Sequence, residues 1–239
     1  MTRYDAGVDL PEFADEAVRI LGDNLVALYK YGASFARGPK AKKAHLLLVV
    51  DNLGTDILRD IRPLARQAQD ANYYLRVDTL EELLCCADVF PIFVLELIDT
   101  KSLMKGNDVL AELQVHPEHL RARVEQSLRA MHRELLSAFV ADESEERLVA
   151  DLRRVVRKSV YVLRALARVR GVDLPTVPSA EQLIETVIAD VLPNADRAIW
   201  HRLRLMANFE ETVMPEGLPA LYNDALAAFS QLVRAVDQL

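Results

Sequence analysis

The residues of this chain best suited to chemistry lie between Tyr31 and Asp99. In Tyr31-Gly32-Ala33-Ser34-Phe35-Ala36-Arg37-Gly38, small residues and a hydroxyl would let backbone N–H groups come close to a phosphate. Arg37, Lys40, Lys42 and Lys43 cluster beside that turn, and lysine serves as a point charge for phosphate. His45 opens an apolar run, Ala44 to Val50, and Glu96 is the one carboxylate within Ile92 to Ile98. Together Gly32, Ser34, Arg37, Lys40, Lys43 and His45 are candidates for binding a nucleotide or phosphate, and Glu96 is the candidate catalytic acid. No metal ligands are assigned, because Ala33 to Val50 holds no carboxylate and the first acid after it is Asp51.

Elements to position these residues follow from periodicity. Leu10 to Leu21 has helical spacing with Pro11 suited to its first turn, and Leu25 to Tyr31 reads as a strand. Ala44 to Val50 is a second, central strand, Asp51 to Ala71 a helix, and Tyr73 to Val77 a third strand. Thr79 and Glu82 form a capping box that starts a helix running to about Ala87. Behind Pro91, Ile92 to Ile98 reads as a fourth strand.

From Val115 onward the strands give way to long helices. They are expected at 116–140, 143–169, 179–191, 194–208 and 218–239, with Ser179 and Gln182 as a second capping box. The expected class is α+β: a small mixed-sheet domain over residues 1–113, then an α-helical bundle over 114–239. Leu221, Ala225, Leu226, Phe229, Leu232, Val233 and Val236 stripe the last helix, for its own bundle or for a partner such as a second copy.

The turn at Gly32–Gly38 with its apolar strand resembles the signature of the nucleotidyltransferase superfamily, the polymerase-beta-like fold. Asp88-Val89-Phe90-Pro91-Ile92 followed by Leu103-Met104-Lys105-Gly106-Asn107-Asp108-Val109-Leu110 is similar to predicted bacterial members of that group, as is the helix from His119 to Leu136. The resemblance covers roughly half the chain and implies the nucleotidyltransferase fold for the first domain. It also implies two acids on the second strand that hold magnesium. Here those positions fall on Lys43 and His45, or on His45 and Leu47. A third acid is implied on the strand at Ile92 to Ile98, where Phe93 takes its place and Glu96 remains. Magnesium needs hard oxygen ligands, and without it a transferred phosphoryl group loses its main stabiliser.

The function expected from this is a nucleotidyltransferase-like protein without its metal carboxylates, a pseudoenzyme that binds a nucleotide or phosphate compound with no certain cofactor. An alternative is an active transferase, which would require magnesium and a site rebuilt from Glu96 with Asp51 or Asp99. A third is a structural protein acting through the helical half, as a homodimer or with another partner.

The remaining composition sets bounds. The 239 residues carry a net charge of −7, which disfavours general binding to nucleic acid. Two cysteines, Cys85 and Cys86, are adjacent and read as cytoplasmic thiols. No run is long enough for a membrane span, and the protein is expected in the cytoplasm. His116, His119 and His132 read as surface residues, Trp200 as packing, and the arginines between Arg153 and Arg170 as a solvated face. Arg197 and His201, with three residues between them, are too close for an Arg-x(4–6)-His ribonuclease motif.

Overall fold

A computed structural model describes residues 9–32, 45–141, 144–175 and 178–238, without the side chain of residue 215. Two compact units divide the chain between Val115 and His116. The first is built on a four-stranded mixed sheet, and the second is helical.

The first unit opens with helix α1 (Leu10–Leu21), started by Pro11 and stopped by Gly22. Strands β1 (Leu25–Tyr31) and β2 (His45–Val50) pair antiparallel. Two helices, α2 (Thr55–Asp60) and α3 (Arg62–Asp70), cross to β3 (Tyr74–Thr79), which runs parallel to β2. The single helix expected over 51–71 is therefore broken at Ile61, ahead of Pro63, because proline has no N–H for the helical ladder. Thr79 and Glu82 make the expected capping box for α4 (Leu80–Cys85).

A correction follows at Pro91. The segment expected as a fourth strand is helix α5 (Pro91–Thr100), with Pro91 in its first turn. The fourth strand is β4 (Ser102–Gly106), and it gives the sheet the order β3-β2-β1-β4. Glu96 consequently stands on a helix laid over the sheet.

Alternation along β1 and β2 sorts the core into two layers. Leu28, Leu46, Leu48 and Val50 face α1 and α3 through Phe13, Ala17, Leu64 and Ala68. Tyr29, Tyr31, Leu47 and Val49 face α4 and α5 through Leu83, Val94 and Leu97. Each fully buried leucine contributes about 1.5–3 kcal/mol by leaving water.

The Leu103-x-x-Gly106-x-Asp108-x-Leu110 segment anchors this second layer. The Tyr29 hydroxyl donates to Asp108 Oδ1 at 3.0 Å and accepts from the Leu110 N–H, while Lys101 grips both Asp108 oxygens at 2.6 and 2.7 Å. Lys101 holds the Asp108 carboxyl below its ordinary range, and burial pushes the Tyr29 phenol up to about 12. A phenol raised in the fold stabilises it fully below its unfolded value of about 10, and loses that contribution as pH rises through 12. We expect about 2–3 kcal/mol to be lost across that window and Tyr29→Phe to flatten this slope, read from urea midpoints between pH 9 and 12.

The second unit contains α6 (Pro117–Ala141), α7 (Glu145–Arg170), α8 (Ala180–Leu183), α9 (Ala189–Val191), α10 (Arg197–Ala207) and α11 (Leu218–Asp237). Ser179 and Gln182 form the expected capping box, and a π-helical turn at Ile184–Ile188 links α8 to α9. Leu221, Ala225, Phe229, Leu232 and Val236 of α11 are buried against their own unit, with Trp200 packed on Phe229. Leu226 and Val233 of the same stripe are half-buried. Among the described residues no helix is long and apolar enough to cross a membrane.

Candidate functional site

One row of the sheet gathers the aromatic and polar groups. Register places Tyr31 opposite His45 and His45 opposite Tyr74, so three strands contribute one ring each to the same face. His45 stacks on Tyr31 with ring centroids 5.1 Å apart and on Tyr74 at 5.3 Å. Helix α5 closes over the row, and Phe93 meets Tyr31 edge-on at 6.1 Å. The Arg76 guanidinium lies over Phe93, 4.0 Å from its centroid, and its Nε donates to Asp78 at 2.5 Å. Tyr74, Arg76 and Asp78 alternate along β3 and therefore share the face of His45.

Gly32 ends β1 in the left-handed region, with φ +71°. Its N–H donates to Thr100 Oγ1 at 3.0 Å, and that hydroxyl donates to the Glu96 carbonyl at 2.6 Å, which ties the strand end to α5. A Cβ on Gly32 would stand 2.8 Å from Glu96 Oε1 and 3.0 Å from His45 Cδ2. The carboxylate of Glu96 and the imidazole of His45 thus meet at the bare α-carbon of Gly32.

Three of the seven candidate residues, Gly32, His45 and Glu96, therefore come together. Ser34, Arg37, Lys40 and Lys43 lie outside the described residues. Tyr31, Tyr74, Arg76 and Thr100 join Gly32, His45 and Glu96 without having been named as candidates in the sequence, and so does Phe93, noted there only as standing in place of the third acid. Period-2 alternation from Tyr74 to Asp78, with Leu75 and Val77 between, was the signal for the β3 contribution.

Of the carboxylates that an active transferase would add to Glu96, Asp51 is remote, whereas Asp99 is its neighbour on α5. Asp51 follows the far end of β2, about 20 Å from His45 at the rise of an extended strand. Asp78 lies four residues along β3 from Tyr74, about 13 Å away, and is held by Arg76. Glu96 and Asp99 share α5 at a spacing of three. Among the described residues no three His, Cys, Asp or Glu side chains are grouped to hold a metal ion.

Nearby, Cys86 donates its thiol to the Leu83 carbonyl, and burial pushes that thiol's pKa up; Cys85 is exposed, and neither is in a disulfide. Chemically, the row holds an imidazole stacked between two phenol rings, with a carboxylate beside it at the bare α-carbon of a glycine. No family model matches this chain, and no curated protein or solved structure matches it either.

Proposed function

We propose that the first unit is a nucleotidyltransferase-like domain that binds a nucleotide or related phosphate compound without magnesium and does not turn it over. The observation that carries this is His45, stacked between Tyr31 and Tyr74 where the resemblance implies a metal-binding acid. An imidazole committed to a ring stack is a poor substitute for the oxygen ligands of magnesium. Glu96 is the carboxylate nearest to Gly32, and among the described residues no three His, Cys, Asp or Glu side chains are grouped to hold a metal ion. In this scheme Gly32 keeps the strand end open, and Arg37, Lys40 and Lys43 supply the charge that faces phosphate.

Calorimetric titration with ATP, GTP, CTP and UTP, in magnesium and then in EDTA, tests it. We expect saturable binding that survives EDTA and disappears in Lys40→Ala/Lys42→Ala/Lys43→Ala. Gly32→Ala places a methyl against Glu96 and His45, and is expected to weaken binding about tenfold, equivalent to ~1.4 kcal/mol. Magnesium-dependent nucleotide transfer abolished by Glu96→Gln would overturn the proposal, as would absence of binding under every condition.

A further inference from the structure

The cationic face of α7 is not uniformly neutralised. Arg154 and Lys158 pair with Glu134, and Arg170 pairs with Asp190. Arg153 and Arg157 have no carboxylate partner among the described residues. Instead each gives its Nε–H to the end of α10: Arg153 to the Met206 carbonyl at 3.0 Å and Arg157 to the Ala207 carbonyl at 2.9 Å. Both guanidiniums lie against one ring, with their central carbons 4.3 and 4.9 Å from the Phe209 centroid. The acids that follow that ring are engaged elsewhere, Glu211 by Arg202 at 3.0 Å and Glu210 by Arg204 at 3.7 Å.

Capping alone does not account for two arginines. A helix C-terminus carries about half a negative charge, so two guanidiniums leave a surplus of about +1.5. Like charges one helical turn apart also repel. Burial and the neighbouring Arg157 charge together lower the Arg153 pKa. Phe209 is held at φ 61°, a backbone conformation unfavourable for a bulky side chain, yet the residue remains 47% exposed. With each Nε committed, the two NH2 groups of each guanidinium remain for a further acceptor.

We propose that Arg153, Arg157 and Phe209 form an anion site for a phosphate monoester. The dianion carries about −1.5 to −2 at neutral pH, matching the surplus charge. Its oxygens accept from the two guanidinium forks. This site is in the helical unit and is independent of the nucleotide reading for the first unit.

The test uses the full chain carrying Lys40→Ala/Lys42→Ala/Lys43→Ala, which removes the lysines of the other proposed site. It is titrated with inorganic phosphate and with phenyl phosphate, followed by calorimetry and by the thermal midpoint. Saturable binding of phosphate is expected, weakened at least tenfold by Arg157→Gln. Arg157→Lys retains the charge but not the fork, and should weaken binding several-fold with an unchanged circular dichroism spectrum. Tighter binding of phenyl phosphate than of inorganic phosphate would assign the site to an organic monoester; equal binding would assign it to the free ion. Absence of saturable binding, or binding that neither Arg157 variant changes, would overturn the proposal.

Discussion

Gly106→Ala is expected to destabilise the first unit by more than about 3 kcal/mol. Gly106 sits at φ +83°, and a Cβ there would fall 2.1 Å from the Val26 carbonyl oxygen and 2.9 Å from Ala27 Cα. Those atoms belong to the strand it pairs with, so no flexible side chain can swing aside. Relief requires β4 to part from β1, which also pulls on the Asn107 N–H bond to Val26 and on the Asp108 anchor of Tyr29. Urea unfolding should show the midpoint falling by about 1–3 M at ordinary denaturant sensitivity. A midpoint equal to that of the parent protein would show that β4 does not approach β1 this closely in solution.

In the second unit the largest loss is expected from Phe229→Ala, at about 3–5 kcal/mol. Phe229 is fully buried on α11, and its ring centroid lies 5.6 Å from that of Trp200. Truncation leaves a cavity between α10 and α11 that packed neighbours fill only in part. Trp200 is the one tryptophan of the chain, so its fluorescence reports this unit selectively. Phe139→Ala serves as the contrast: that ring is 46% exposed, and its removal should cost much less. Equal losses from the two variants would contradict the placement of the α11 stripe in the core.

The elements legible in the sequence were those with strong local signals. Helix α1, strand β1 and both capping boxes rest on proline, glycine and Ser/Thr–Glu/Gln spacings that act within a few residues. Helix α5 was misread because Ile92 to Ile98 is a short apolar run, and such a run fits a buried strand and a buried helix equally well. Pro91, which favours a first helical turn, was the better guide. Strand β4 is five largely exposed residues and has no apolar pattern of its own; its pairing with β1 defines it. Of the residues that meet around Gly32, His45 and Glu96 had been picked out with it as candidates from residue type. Tyr31, Tyr74 and Phe93 were not, because their meeting depends on strand register and on a helix that was taken for a strand.

The order β3-β2-β1-β4 has a further consequence during synthesis. Strand β1 is made early, but the strand that covers its outer edge begins about seventy residues later. At translation speeds of about 5–20 residues per second, that edge stays open for several seconds on the ribosome. An uncovered strand edge is a template for pairing with another chain. The nascent protein therefore passes through a window in which self-association competes with folding, and that window closes when Gly106 emerges and β4 can dock. Slowing elongation between Tyr31 and Ser102 would prolong the exposure, whereas a chaperone that holds the β1 edge would act there and have little left to protect once the sheet is complete.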